Sequence, residues 1–280
     1  MPPNSVRELP DGQRWLIGQT PFFSSTIDQR FSFGLYVPKC HSFDGPDLPV
    51  LVIIHGTRRQ IGNYFTKLKD FSEKHRCVIF CPLFPAGTTN PEDIHNYKTI
   101  LYKDIRFDLI LLSMLDQATK IWRLKVDRFF MHGFSGGGQF VQRFFYLHPN
   151  RLVAVSIGAP GRITPPDNTQ MWPAGLSDVH GLFGISNVPD FQTMARVPVQ
   201  MVVGANDRDT SMLETIKSPN SAEQEAGETR VERLNWLRRA WKDKGVIADM
   251  TLVPGVAHNG LRCLPAVEEW IGPLIDSIRT

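Results

Sequence analysis

The chain has 280 residues, 42% hydrophobic and 21% charged, and its 31 Lys and Arg against 28 Asp and Glu leave a formal net charge of +3. This composition excludes a disordered or fibrous chain, and the length is enough to bury a core without disulfides or metal. The basic residues are scattered rather than gathered in a stripe, so nucleic acid is not an expected partner.

Residues 1–10 carry neither the basic n-region nor the apolar h-region of a secretory signal, and no apolar run reaches the length of about 18 residues that a membrane span requires. A cytoplasmic chain with no membrane partner is expected. Residues 14–20 and 30–37, aromatic or β-branched and bounded by Pro and Gly, predict an opening antiparallel hairpin. Residues 50–54 are apolar on both faces, as a central parallel strand must be, and run straight into His55-Gly56-Thr57. A helix over 63–74, a strand over 77–81 and a Pro/Gly/Thr/Asn loop over 82–91 follow.

Ile105, Leu109, Leu112, Leu115 and Ile121 recur at near-helical spacing and predict a helix over 104–122 capped by Asp104. A strand over 128–132 then leads through Gly133-Phe134-Ser135-Gly136-Gly137-Gly138 into a helix. Its apolar face is Phe140, Val141, Phe144, Phe145 and Leu147, and His148-Pro149 ends it. A strand over 152–157 precedes the aperiodic, Gly- and Pro-rich stretch 158–194, which is long enough to expect a function for it. Strands over 197–203 and 248–253, a solvated acidic stretch over 218–229, a helix over 229–243 and a final helix after His258 complete the pattern. Strands alternating with helices predict an α/β domain with a mostly parallel sheet, helices on both faces, and sites at the C-terminal strand ends.

Gly133-Phe134-Ser135-Gly136-Gly137 fits G-x-S-x-G between a strand and a helix. A turn tight enough to lift the serine hydroxyl above the sheet forces backbone segments together, and Gly133 and Gly137 relieve the collision. A serine nucleophile needs an imidazole base and a carboxylate that orients it. His258, in a Pro-Gly turn directly after a late strand, is the expected base. His41, His75, His95 and His180 read as solvated surface, His148 as a helix terminator and His132 as a hydrogen-bonded core residue. Asp207 and Asp209 both follow the 197–203 strand in the chain order serine, acid, histidine. Asp207 is the preferred acid, and either carboxylate can instead cap the turn.

Backbone amides of Gly136 and Thr57 are the expected oxyanion donors, with Gly56 allowing a bend and His55 fixing the loop. Arg58 and Arg59 read as solvated surface. Cys40, Cys77, Cys81 and Cys263 read as reduced thiols in packing roles. No metal cluster or nucleotide-binding loop is evident, and no cofactor is expected.

These tracts, from Leu51-Val-Ile-Ile-His-Gly through Val126-Asp-Arg-Phe-Phe-Met-His-Gly-Phe-Ser-Gly-Gly-Gly and Gly204-Ala-Asn-Asp to Val253-Pro-Gly-Val-Ala-His, resemble the α/β-hydrolase superfamily across about residues 14–280. The tract 126–161 is distantly similar to the feruloyl-esterase and polyhydroxybutyrate-depolymerase-like group. The resemblance implies about eight strands in one domain over 1–280, a Ser135, Asp207, His258 triad, and 158–194 as a cap.

The expected function is hydrolysis of a carboxylic ester or lactone of a small to medium apolar molecule through an acyl-enzyme on Ser135, with Trp172, Phe183 and Phe191 lining an apolar pocket under the cap. Three large aromatics in a polar stretch must fold onto something, and pinning the loop to the sheet is the competing role for them. Amide or carbon–carbon hydrolysis by the same residues, and a non-catalytic ligand-binding member of the fold, are the alternative functions. A haloalkane-type dehalogenase is disfavoured, because an aspartate is expected where Ser135 stands.

Overall fold

The computed structural model describes residues 15–186, 188–210, 222 and 225–278. In chain order the elements are strands β1 (Gly18–Gln19), β2 (Phe23–Ser24), β3 (Ser32–Val37) and β4 (Leu48–Ile54), helix α1 (Ile61–His75), and strand β5 (Val78–Leu83). A short hairpin, β6 (Leu101–Tyr102) and β7 (Ile105–Arg106), precedes helix α2 (Phe107–Thr119), strand β8 (Leu124–Phe134), helix α3 (Gly136–Leu147) and strand β9 (Leu152–Gly158). Two short helices follow, α4 (Val179–Phe183) and α5 (Phe191–Met194). Strand β10 (Val199–Gly204), helix α6 (Arg230–Lys242), strand β11 (Ala248–Val253) and helix α7 (Gly260–Ser277) complete the set.

Among the described residues nine strands form one sheet in the order β1-β3-β5-β4-β8-β9-β10-β11, with β2 beside β3. From β5 to β11 every pairing is parallel, and β1, β2 and β3 add an antiparallel margin. β4 is buried along its whole length, as the unbroken apolar run requires, and it lies between β5 and β8. The chain leaves β4 toward one edge and later returns to its other side, so a crevice opens at its carboxyl end.

The expected hairpin is present as β1 on β3, although Phe23–Ser24 also pairs with β3 and residue 14 lies outside the described residues. Half of the acidic stretch 218–229 also lies outside them. From its described end, Thr229 caps α6 through a capping box with Glu232, a device worth about 1 kcal/mol.

The expectation for α2 needs correction. Asp104 is not its cap: Lys103 turns at φ 55° between β6 and β7, which takes Ile105 into a strand, and the helix starts two residues after Ile105. The buried face is therefore Phe107, Ile110, Leu111, Met114, Leu115 and Ala118, and Leu109 is 46% exposed. Two histidines expected at the surface are buried instead. His75 packs on Phe71 and its Nδ1 lies 3.0 Å from Asp276 Oδ2 on α7, while His41 stacks edge-on to Phe43.

Helix α7 runs through Pro265 and Pro273, because the stripe Cys263, Leu264, Val267, Ile271 and Ile275 buries against the sheet and α1. Fully burying each such side chain contributes about 1.5–3 kcal/mol, enough together to outweigh lost backbone bonds. Among the described residues no helix is long and apolar enough to cross a membrane.

Candidate active site

Four parallel strands deliver the site from their carboxyl ends. β8 ends in Phe134, and Ser135 turns the chain into α3 at φ 57° and ψ −113°, a conformation that L residues avoid. The strain is held by close packing. A Cβ on Gly133 would lie 2.5 Å from the Gly137 carbonyl oxygen, and one on Gly137 would collide with the Ile54 carbonyl at the end of β4. Glycine is the residue that fits both positions.

The turn after β10 supplies Asp207 and the turn after β11 supplies His258. His258 Nε2 lies 3.0 Å from Ser135 Oγ, and His258 Nδ1 lies 2.6 Å from Asp207 Oδ2. The structure thus brings Ser135, His258 and Asp207 into one hydrogen-bonded line, with Asp207 fully buried. Buried carboxylates need partners on both oxygens. Arg230, the first residue of α6, donates from Nη1 to Asp207 Oδ1 at 3.1 Å and to the Asp209 carbonyl at 2.9 Å. Asp209 is outside the line, on the wall of the neighbouring cavity.

The loop after β4 lies against the elbow. A Cβ on Gly56 would stand 3.4 Å from the Phe134 carbonyl, and Thr57 Oγ1 lies 3.0 Å from where a Cβ on Gly136 would be. His55 is fully buried; its Nε2 accepts from the Phe84 amide at 3.0 Å, so Nδ1 carries the proton and donates to Gly56 O at 2.9 Å. Burial pushes this imidazole down to about 3, which keeps it neutral. Tyr97 donates its hydroxyl to His55 O at 2.8 Å.

Arg59 is not the solvated residue that its sequence position suggests. Its guanidinium donates to the carbonyls of Thr57, Phe84 and Ile94 and to Asn96 Oδ1, and stacks over Tyr97. Five donors on one planar group can brace several carbonyls at once, which is why it is drawn inward. Arg58 remains exposed.

Two cavities meet at Ser135. The larger, about 480 Å³, is lined by residues of the β4 loop together with Phe134, Ser135, Arg230, His258 and Leu261. The smaller, about 210 Å³, is bounded by Thr57, Lys98, Ser135, Gln139, Arg143 and Arg162, among others. Neither includes Trp172, Phe183 or Phe191. Trp172 Nε1 donates to Thr99 O at 2.8 Å and its ring meets Phe183 edge-on, Phe183 carries the Arg106 guanidinium over its face, and Phe191 packs edge-on to Tyr146. An indole N–H must find an acceptor when covered, and here it finds one that ties stretch 158–194 to the 96–99 turn. That stretch still reaches the smaller cavity, through Gly161, Arg162 and Pro173.

Three participants escaped the sequence reading. Arg230 stands at a helix N-terminus, where the macrodipole disfavours a cation, and that mismatch is a usable signal. Arg143 lies three residues after Phe140 on the buried face of α3, a cation in an apolar stripe. Lys98 carries no comparable mark. Among the described residues no group of three or more His, Cys, Asp or Glu could hold a metal ion.

No family model matches the chain, and no curated protein matches it. Solved structures do. Poly(aspartic acid) hydrolase-1 from Sphingomonas sp. KT-1 superposes with a TM-score of 0.73 at 19% identity, over 90% of this chain and 97% of that one. LpqC, a poly(3-hydroxybutyrate) depolymerase from Bordetella parapertussis, gives 0.66 at 22%, over 87% and 84%. The fold is that of the α/β-hydrolases. A ferulic acid esterase, at 0.60 and 13% identity over 91% and 95% of the two chains, shares the α/β-hydrolase fold as well.

Proposed function

We propose that the protein is a serine hydrolase that cleaves a carboxylic ester or lactone through an acyl-enzyme. The observation that carries this reading is the unbroken line from Ser135 Oγ through His258 to Asp207, at 3.0 and 2.6 Å, on a strained turn at the crevice. The Ser135 hydroxyl attacks the ester carbonyl as its proton passes to His258 Nε2. Asp207 holds Nδ1–H and stabilises the imidazolium. The Gly136 amide, at the start of α3 where N–H groups lack helical partners, and the Thr57 amide stabilise the developing oxyanion. His55, donating from Nδ1 to the Gly56 carbonyl at 2.9 Å, orients that peptide, and Arg59 holds the carbonyl of the next one.

Collapse of the tetrahedral adduct breaks the bond to the alcohol, which takes the proton from His258. Water then repeats the sequence on the acyl-Ser135 ester and releases the acid. Labelling by a fluorophosphonate, followed by assay of an ester and lactone panel, tests the reading. Stoichiometric label on Ser135, with turnover that Ser135→Ala removes, is expected. An unlabelled, folded protein overturns it.

A further inference from the structure

The smaller cavity beside Ser135 is walled by four cationic side chains, Lys98, Arg143, Arg162 and Arg230, with His95 at its rim, and no acidic residue is among the described residues lining it. Two of these cations are costly to place there. Lys98 is 5% exposed and Arg143 2% exposed, and an ammonium or guanidinium is seldom buried without purpose.

Arg143 is locked in position: Nη1 donates to Lys98 O at 2.6 Å and Nε to Thr164 Oγ1 at 2.9 Å. Lys98 is a donor with capacity to spare. Among the described residues the one hydrogen-bond partner of its ammonium is the ring Nδ1 of His95, at 2.5 Å, which leaves two of its three protons to the cavity. Burial and the charges of Arg59 and Arg143 push this amine down to about 8, so it is crowded by like charge rather than neutralised. It stands beside the elbow, since a Cβ on Gly136 would lie 2.9 Å from Lys98 Cε.

The two cavities divide the substrate. His258, which hands its proton to the departing alcohol, lines the larger cavity and is absent from the walls of the smaller. The alcohol therefore belongs in the larger cavity and the acyl chain in the smaller, where an apolar tail would lie against the Lys98 ammonium without answering its charge. An anion there would accept from it, in a setting where charge-assisted bonds are stronger than in water.

We propose that the smaller cavity is a carboxylate-binding acyl pocket: the substrate is a half-ester of a short dicarboxylic acid, whose free carboxylate is bound by Lys98, Arg143 and Arg162 while Ser135 attacks its ester carbonyl. The assignment rests on the esterase reading of Ser135. Ester cleavage then releases the alcohol and a dicarboxylate, with one water consumed.

The test compares mono-4-nitrophenyl glutarate with 4-nitrophenyl pentanoate, which has the same acyl length but ends in a methyl group. The wild-type ratio of kcat/KM for the anionic over the neutral ester is expected to exceed about tenfold. Lys98→Met and the half-buried Arg162→Gln are each expected to cut that ratio by about 10- to 100-fold, the span of a hydrogen bond to a charged group. Circular dichroism checks that both variants are folded, and Arg162→Gln serves if Lys98→Met is not.

A second readout is protection of Ser135 from fluorophosphonate by free glutarate, by pentanoate and by inorganic phosphate. Protection by glutarate above the other two is expected, and it decides the matter if neither ester turns over. Stronger protection by phosphate replaces the carboxylate with a phosphoryl group and overturns the proposal. A labelled enzyme that shows no anionic preference, or a preference that neither variant alters, overturns the pocket and leaves the esterase reading standing. An unlabelled Ser135 with no hydrolysis of either ester overturns both.

Discussion

Two serine–histidine pairs among the described residues share one distance and differ in their surroundings. Ser135 Oγ lies 3.0 Å from His258 Nε2, and Ser156 Oγ lies 3.0 Å from His132 Nδ1. The second pair sits inside the sheet, in a row of polar side chains that runs across β8, β9 and β10. Ser156 donates to Gln200 Oε1 at 2.7 Å, and Gln200 donates to Thr251 Oγ1 and Ala266 O. Because the Ser156 hydroxyl spends its proton on Gln200, its oxygen accepts from His132, which must carry hydrogen on Nδ1. His132 is thus a donor there. Its Nε2 has no partner among the described residues, and burial pushes the imidazole down to about 4.

The Ser135 pair reverses each condition. A buried carboxylate claims Nδ1 of His258, which leaves Nε2 as the acceptor for the serine proton, and the pair opens onto two cavities. Distance is common to both pairs; the direction of the proton and access to a substrate are not.

The contrast can be broken first at the serines. Ser135→Ala is expected to lower turnover on the order of 10⁶-fold, whereas Ser156→Ala should leave ester turnover within a few-fold of wild type. Comparable losses in the two, measured as kcat on 4-nitrophenyl esters, would erase the distinction. The carboxylate comes next. Asp207→Asn should cost about 10⁴-fold in kcat by favouring the wrong tautomer of His258. Asp209→Asn, outside that hydrogen-bonded line, should cost far less, and the reverse order would move the orienting role to Asp209.

The third experiment addresses His132 through stability. Its imidazole titrates at about 6.5 when unfolded and is held near 4 when folded, so between those values the unfolded chain binds more protons. Stability is therefore whole above that window and falls as pH drops through it, by about 3 kcal/mol for this residue. His132→Asn keeps a donor to Ser156 and should flatten the loss, read as denaturation midpoints at neutral and acid pH. His55, held down to about 3, remains in both proteins, so the slope is reduced rather than removed. An unchanged slope would mean that His132 charges freely in the fold.

The smallest effect concerns the carboxylate pocket. Lys98 faces Arg59, Arg143 and His95, with Asp93 opposing them and Arg162 and Arg230 across the cavity. Protonated below about 8, it should lose its hold on an anionic acyl group as pH rises through that value. The ratio of glutarate to pentanoate ester kcat/KM should then fall several-fold, whereas a flat profile would assign the selectivity to the arginines alone.

Local rules explain what the sequence made legible. The 50–54 run, the elbow glycines and the turn residues Asp207 and His258 sit next to strand ends, where neighbours along the chain are neighbours in space. Nothing local marks Lys98, whose role depends on α3 lying behind it, nor Arg59, whose acceptors at Phe84, Ile94 and Asn96 lie 25 to 37 residues away. The face of α2 was misread because Lys103 turns the chain and uses Ile105 in a strand, which no helical periodicity reveals. Trp172, Phe183 and Phe191 were recognisable as residues that must be covered, but what covers each one depends on the path of the whole stretch 158–194.

One feature of the fold bears on how the protein comes to life during synthesis. His258 stands two residues ahead of α7, and its hydrogen bond to Ser135 spans 123 residues of chain. A ribosome delivering the polypeptide from its N-terminus exposes the serine long before the imidazole proposed to activate it. A growing chain can thus complete β8 and α3 while remaining chemically silent, and hydrolysis would switch on with the docking of the final strand and helix.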